Sequence, residues 1–248
     1  MLSIIQINTF FLVFVSCCPD TLIEVSDNVC MLELEGEHPY CVGHFHCQEK
    51  GRELGLRLFM VGRNADKLPT FFHNDNGIHT GLHSLLLDVD SRTTGFQVTD
   101  PRNVAHFPES DKQQLFTEAP VFGRERIVEW RTSGFQNVLQ NENKRNVVCE
   151  LSYIDSPEKL RTERFEKSWP QLIRPMFMGR TGSQGCWFTT SEQTLLFCGL
   201  KCHQHPYCRS FYYNEAIKKC RQALYIDSRL PFEASREAGT WIRFGRRY

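Results

Sequence analysis

The sequence predicts an α+β fold, and three observations lead to this prediction. Residues 47–58 interleave charged side chains with leucines, which is typical of a helix that lies on a core. From residue 77 onward, turn residues alternate with short apolar runs, which is typical of strands and loops. After Cys17 and Cys18, the cysteines form an early group at 30–47 and a late group at 186–220, with Cys149 between them. Two groups with different spacing indicate two modules, and 248 residues are enough for both.

The first residues have the pattern of a secretion signal. Residues 4–15 are mostly apolar and are followed by the small residues Ser16 and Cys17. This apolar run is too short to cross a bilayer as a stable helix, and no later run approaches the required length. We therefore predict that residues 1–17 are a signal peptide, that the mature protein is secreted and that it has no stable membrane insertion. An uncleaved signal anchor is the alternative.

Charge and composition narrow the class of partner. The chain carries 29 basic and 29 acidic side chains, so its formal net charge is zero. A neutral balance gives no electrostatic basis for binding nucleic acid, which is therefore not an expected partner. Hydrophobic residues make up 41% of the chain, which is enough to form packed cores and argues against disorder.

Secretion determines how the cysteines are interpreted. In an oxidising compartment, cysteines are expected to form disulfides rather than to serve as metal ligands. Loss of Cys17 with the signal peptide leaves an even number of cysteines, so all of them can pair. Residues 41–47 also contain His44 and His46, which are ligand types for zinc, but disulfides compete for the sulfurs of this stretch. We expect no metal and no cofactor.

The first module is expected to begin with helices and to continue with strands. A second helix is predicted at residues 66–72, after the helix at 47–58. Four apolar runs then predict strands, at residues 85–87, 95–96, 127–130 and 147–149. This order of elements is that of an α+β module.

The cysteines of the first module stand in distinctive sequence contexts. Cys47 lies in Cys-Gln-Glu-Lys-Gly on the predicted helix, and Cys149 lies in Val-Val-Cys-Glu. With these motifs, residues 25–153 resemble a C-type lectin-like domain. The resemblance implies a Cys47–Cys149 disulfide between the helix and the closing strand, and a Cys30–Cys41 disulfide in an N-terminal hairpin. The chain departs from the family pattern because no cysteine lies between 47 and 149 to form a second internal disulfide.

The same resemblance implies a ligand surface. In sugar-binding members of the family, carboxylates and amides of two stretches coordinate calcium and the sugar hydroxyls. Here the matching stretches read Glu-Ala-Pro-Val at 118–121 and Phe-Gln-Asn-Val at 135–138. Calcium requires about six to eight oxygen ligands, several of them charged, and these stretches supply few. We therefore expect calcium-independent binding at a surface made of Glu118, Pro120, Phe135, Gln136 and Asn137.

The end of the chain has a second cysteine pattern. Residues 197–220 contain a Cys-x3-Cys pair, a proline turn before the next cysteine and an aromatic run before the last one. With this pattern, residues 185–248 resemble a PAN/apple domain. The resemblance implies the disulfides Cys198–Cys220 and Cys202–Cys208.

Two cysteines and one segment lie outside these two resemblances. Cys186 and Cys18 are left over, and they could form a bond with each other, stay reduced, or join two chains into an oligomer. Residues 154–184 carry mixed charge and several large apolar side chains. We predict that this segment is a linker that packs on one of the modules.

The expected function is recognition without catalysis. Both resembled families present loops on a disulfide-bonded scaffold to a protein or a glycan. The sequence contains no nucleophile elbow, Walker loop or His-Glu-x-x-His motif, so we do not expect an enzyme. We expect a secreted recognition or adhesion protein that binds an extracellular protein or glycan. The alternatives are a calcium-dependent carbohydrate-binding lectin, a secreted protease inhibitor and an unrecognised hydrolase.

Overall fold

The structure is a computed structural model in which a mixed set of helices and strands is held together by disulfides. It describes residues 18–72, 76–86, 96–100, 127–140, 144–152, 164–169, 173, 175–179 and 185–247. The predicted signal peptide, residues 1–17, lies outside the described residues. Two sheets organise the described chain, and we call them the N-terminal sheet and the C-terminal sheet.

The N-terminal sheet is assembled around one central strand. Its elements are β1 (Ile23–Ser26), β2 (Val29–Glu33), α1 (Tyr40–Leu54), β3 (Leu58–Met60), α2 (Leu68–Phe71), β4 (Ile78–His83), β5 (Ile127–Arg131), β6 (Gly134–Val138) and β7 (Asn146–Leu151). The strand order is β1-β2-β7-β4-β5-β6, and β3 also pairs with β7. Strand β7 is antiparallel to β2 and β3 but parallel to β4. Its first five side chains are buried, which explains its continuous apolar run.

Helix α1 differs from the predicted helix at both ends. Residues 47–54 are helical as predicted, but the predicted bounds were wrong, because α1 runs from Tyr40 to Leu54 and Leu58 belongs to β3. Pro39 stands immediately before the first turn, where its missing N–H costs no hydrogen bond. Gly55 ends the helix in the left-handed conformation, with φ 67°, and its N–H donates to the carbonyl of Arg52. Helix α2 lies within the second predicted helix, and a preceding 3₁₀ turn, Ala65–Lys67, overlaps its start.

The C-terminal sheet is entirely antiparallel among the described strands. Its elements are β8 (Arg164–Lys167), β9 (Trp187–Thr190), α3 (Leu195–Gln204), β10 (Cys208–Asn214), β11 (Lys219–Leu224) and β12 (Trp241–Arg247). The strand order is β8-β12-β10-β11-β9. Strand β8 lies within residues 154–184, the predicted linker, and pairs with β12. That segment therefore contributes a strand to the C-terminal sheet.

Five disulfides connect the ten described cysteines. The bonds are Cys18–Cys30, Cys41–Cys186, Cys47–Cys149, Cys198–Cys220 and Cys202–Cys208. The last three are the pairs that the family resemblances imply. Cys198–Cys220 joins α3 to β11, and Cys202–Cys208 joins the same helix to the start of β10.

The expected Cys30–Cys41 disulfide was wrong. Cys30 lies on β2 and pairs with Cys18, whereas Cys41 lies on the first turn of α1 and pairs with Cys186. The family resemblance implies a bond within the first module, whereas Cys41 forms its bond with the C-terminal part of the chain. Neither Cys18 nor Cys186 is left over, so these cysteines do not provide the unpaired thiol that was considered for an oligomer.

One hydrophobic cluster spans both sheets. From the N-terminal sheet and α1 it contains Cys47, Leu58 and Val147, and from the C-terminal part of the chain it contains Tyr207 and Ile226. These five side chains are almost completely buried. The two sheets therefore share a core as well as the Cys41–Cys186 disulfide.

Candidate functional site

The predicted ligand surface falls partly on strand β6. Glu118 and Pro120 lie outside the described residues. Phe135, Gln136 and Asn137 are consecutive residues of β6, which stands at one end of the N-terminal sheet and pairs with β5. Successive side chains of a strand point to opposite faces, so these three residues cannot share one surface.

Phe135 belongs to the core. Its side chain is only 2% exposed and packs in a cluster with Val128, Trp130 and Leu82. The expectation that Phe135 contributes to a ligand surface was therefore wrong. The apolar character that suggested a protein-facing patch is explained by packing inside the sheet.

Asn137 lies on the same face as Phe135 but has different chemistry. It is 9% exposed and stands opposite Val128 of β5. Neither its amide oxygen nor its amide nitrogen has a hydrogen-bond partner among the described residues. An unpaired buried amide costs free energy, and buried polar groups normally find a partner. Asn137 therefore leaves one donor and one acceptor group unmet at the end of the sheet. Both atoms are enclosed in this structure, so a ligand reaches them only by displacing what covers them.

Gln136 lies on the opposite face, where the polar groups satisfy each other. Its amide nitrogen donates to the Ser133 hydroxyl at 3.0 Å, and its register partner on β5 is Glu129. Glu129 is fully buried and forms ion pairs with Arg131 and Arg145, the latter at 2.9 Å. Among the described residues, the side chains of Gln136 and Glu129 on this face have hydrogen-bond or ion-pair partners, whereas the amide of Asn137 on the other face has none.

The contact between the sheets is a second polar site, which the sequence analysis missed. The Tyr225 hydroxyl donates to the Gln48 side chain of α1 at 2.8 Å, and the Tyr207 hydroxyl donates to the Leu58 carbonyl at 3.0 Å. Arg209 also reaches across, since its guanidinium donates to the carbonyl of Thr99 at 3.1 Å. These contacts join residues far apart in sequence, so no local motif indicates them.

Three buried histidines line the N-terminal side of this contact. His44 lies on α1, and His79 and His83 lie on β4; each is at most 2% exposed. The His44 ring stacks on Tyr225, with centroids 5.3 Å apart and planes 5° apart, and packs edge-on against Tyr40. The spacing of His79 and His83 was visible in the sequence, but their burial was not.

A small cavity lies beside β7. It has a volume of about 10 Å³ and is lined by Phe59, Met60, Gly62, Arg63, Val98, Thr99, Asp100 and Glu150. This volume is sufficient for about one water molecule. The Glu150 carboxylate accepts hydrogen bonds from the Gly62 and Asn64 N–H groups and from the Asn64 side chain. Burial raises the pKa of Glu150 above its usual value, although these hydrogen bonds oppose the shift.

In the described part of the chain, no group of three or more His, Cys, Asp or Glu side chains could hold a metal ion. None of the described helices is long and apolar enough to cross a membrane.

The chain was compared with known proteins. No protein-family model matches the sequence, and no curated protein matches it. Among solved structures, it is similar to the C-type lectin CEL-I from Cucumaria echinata, with 14% sequence identity and a TM-score of 0.43. That match covers 56% of this chain and 99% of the lectin chain. The EPNH mutant of CEL-I matches with 15% identity and a TM-score of 0.41, over 56% of this chain and all of that one.

Proposed function

We propose that the protein is a secreted, non-catalytic recognition protein that binds an extracellular protein or glycan at the β6 end of the N-terminal sheet. The observation that carries this proposal is Asn137, a buried amide with no hydrogen-bond partner among the described residues, on the last strand of the sheet. Such an amide can donate to and accept from the same ligand, as peptide groups and sugar hydroxyls require. Disulfides hold the supporting strands in place, which favours binding because less chain has to be ordered.

The arrangement of the first module supports a C-type lectin-like domain at residues 25–153. The Cys47–Cys149 disulfide joins α1 to the central strand β7, and the hairpin of β5 and β6 extends from the same sheet. Residues 118–121 would complete the ligand surface, as the sequence resemblance implies.

The second module is proposed to be a PAN/apple domain at residues 185–248. Its support is α3, which two disulfides attach to the strands β10 and β11 of a small antiparallel sheet. Strand β8 extends this proposed module toward the N-terminus, into the segment 154–184. A module of this kind adds a second recognition surface without catalysis.

Calcium-independent binding is part of the proposal, and a calcium-dependent lectin is the second candidate. Calcium takes amide oxygens as ligands, so the unpaired oxygen of Asn137 favours that candidate as well. We propose calcium-independent binding because calcium requires several charged oxygen ligands, and the neutral amide oxygen of Asn137 contributes only weakly to a site for a divalent cation. Gln136, the other amide of β6, points to the opposite face.

The test is ligand binding by wild type and two matched variants, on a glycan array and on a panel of extracellular proteins. We expect Asn137→Ala to reduce binding at least tenfold and Gln136→Ala to change it less than twofold, with the same result in calcium and in a chelator. Equal effects of the two variants would contradict the assignment of the site. Elution of the ligand by the chelator would instead establish the calcium-dependent lectin.

A further inference from the structure

The contact between the two sheets contains histidine nitrogens that lack hydrogen bonds. The Nε2 atom of His44 and both ring nitrogens of His83 are buried and have no partner among the described residues. A neutral imidazole can remain in such a place at a modest cost. An imidazolium would carry an unpaired charge in the interior, which is far more costly.

The charged and titratable groups around these histidines do not offer a free compensating anion. The Glu129 carboxylate of β5 lies across the sheet from His79, but it is already paired with Arg131 and Arg145. On the N-terminal side, Tyr40, His79 and the two histidines face one another, and burial raises the pKa of the Tyr40 hydroxyl, which therefore stays neutral. On the C-terminal side, His44 faces the Tyr225 ring, whose pKa is also raised by burial.

The surroundings of His83 include one cation and one carboxylate. Arg209 lowers its pKa and Asp227 raises it. Asp227 is already engaged, since its two oxygens accept hydrogen bonds from the Ser210 hydroxyl at 2.6 Å and from the Arg243 guanidinium at 2.5 Å. The Asp227 carboxylate is therefore already neutralised by Arg243 before His83 takes up a proton.

Both histidines are neutral while the sheets are in contact. Burial lowers the pKa of His44 well below its ordinary value, and the neighbouring His83 and His79 add to this effect. Burial, followed by Arg209, lowers the pKa of His83 to about 3. When the contact opens, both rings return to water, where the pKa of histidine is about 6.5.

We propose that the contact between the two sheets is an acid-sensitive joint, which opens when His44 and His83 take up protons while the Cys41–Cys186 disulfide keeps the two parts connected. Below about pH 6.5 the open state binds more protons than the closed state, so acid favours opening. Each histidine increases the opening equilibrium constant by up to about tenfold per pH unit in this range. Above that pH the closed state is favoured.

Opening of the joint can be measured by hydrogen exchange at one backbone amide, that of Arg229. The Arg229 N–H donates across the contact to the Leu85 carbonyl at 3.3 Å, whereas the amides of β10 lie in the middle of the C-terminal sheet. Residue-resolved hydrogen exchange, corrected for the intrinsic effect of pH, should show a loss of protection at Arg229 of up to about 30-fold between pH 6.5 and 5.5, because each histidine with an open-state pKa of about 6.5 contributes about fivefold in this window. Protection in β10 should remain unchanged.

Three variants complete the experiment. His44→Phe keeps an aromatic ring on Tyr225, and His83→Leu places an apolar side chain where neither nitrogen had a partner. Each variant should reduce the pH dependence at Arg229 over this window to about fivefold, because one titrating group remains. His203→Gln, at an exposed position of α3, should behave as wild type.

Three outcomes would overturn the proposal. The first is protection at Arg229 that does not depend on pH, and the second is a parallel loss of protection in β10, which means global unfolding. The third is a pH dependence at Arg229 that either substitution leaves as large as in wild type. If one variant does not fold at pH 7.5, as judged by its β10 amides, the other variant decides alone.

Discussion

Phe135 shows how a single side chain can be misassigned from sequence. Its buried ring packs against Val128 and Trp130, so its removal leaves a cavity. We predict that Phe135→Ala lowers the free energy of unfolding by about 3–5 kcal/mol, measured by urea denaturation. The matched control is Phe188→Ala on β9, where the ring is 49% exposed, and there we expect a loss below about 1 kcal/mol. Similar losses for the two variants would contradict the burial of Phe135.

The ion pair of Asp227 and Arg243 leads to a second prediction at this scale. Burial alone would raise the pKa of Asp227, but Arg243 and Ser210 outweigh it, and the pKa lies below its usual value. Arg243 is 2% exposed, so Asp227→Ala would leave a guanidinium buried without its partner. We predict a loss of about 3–5 kcal/mol of unfolding free energy for Asp227→Ala.

A double-mutant cycle measures this coupling. The variant that combines Asp227→Ala with Arg243→Met should be more stable than Asp227→Ala alone, because the buried charge is then removed together with its partner. Additive losses in the two single variants and the double variant would show that the pair is not coupled.

At the scale of elements, two helical glycines should respond in opposite ways to the same substitution. At Gly51 in α1, an added Cβ would lie 2.8 Å from the Leu56 carbonyl oxygen and 3.0 Å from the Leu58 nitrogen. At Gly199 in α3, the nearest atom to an added Cβ would be Phe211 Cζ at 3.4 Å. Chain entropy favours alanine over glycine in a helix by about 0.5–1 kcal/mol at both sites.

The two substitutions should differ because an added Cβ at Gly51 meets backbone atoms, whereas an added Cβ at Gly199 meets only the Phe211 ring. We predict that Gly199→Ala is neutral or raises the melting temperature, whereas Gly51→Ala lowers it, because the segment from α1 to β3 cannot move away without disturbing the sheet. Thermal melting of the two variants side by side is sufficient. An increase in melting temperature for Gly51→Ala would show that the segment can adjust.

The elements differ in how far the sequence predicts them. Strands β5 and β7 follow from apolar runs in the sequence, and the helix at residues 66–72 is found as a 3₁₀ turn followed by α2. The bounds of α1 were missed because Pro39 and Gly55, which delimit it, were given less weight than the periodicity between them. Strand β8 was missed because its charged sequence has no strand pattern, and it forms by pairing with the distant β12.

At the scale of the whole molecule, the Cys41–Cys186 disulfide cross-links the two sheets. We predict that the double variant Cys41→Ser, Cys186→Ser loses about 3–4 kcal/mol of unfolding free energy. The loss is smaller than the sequence separation of 145 suggests, because Cys47–Cys149 already shortens the loop. Chemical denaturation under oxidising conditions measures it, and an unchanged midpoint would contradict the prediction.

The site was harder to predict than the fold, for a reason that applies to the whole molecule. The faces of β6 separate Gln136 from Asn137, and this separation depends on which face of the sheet is covered. The histidine contact depends on the packing of the two sheets, and it joins residues such as His44 and Tyr225 that are more than a hundred positions apart. Local patterns indicate neither, because both arise from tertiary packing.

The pairing of Cys30 with Cys18 has a consequence for how the chain matures. Cys30 lies almost equally far along the sequence from Cys18 and from Cys41, so short-range encounters in an unfolded chain do not discriminate between these two partners. Native Cys41–Cys186 needs both sheets in place, and strands such as β2 and β7 meet only after long-range closure, which is slow. During oxidative folding, Cys41 is therefore available to the wrong sulfur for longer than the cysteines of the two local bonds, Cys198–Cys220 and Cys202–Cys208. We expect an intermediate with a non-native Cys30–Cys41 disulfide to accumulate. Its rearrangement by thiol–disulfide exchange would then limit the rate of oxidative folding.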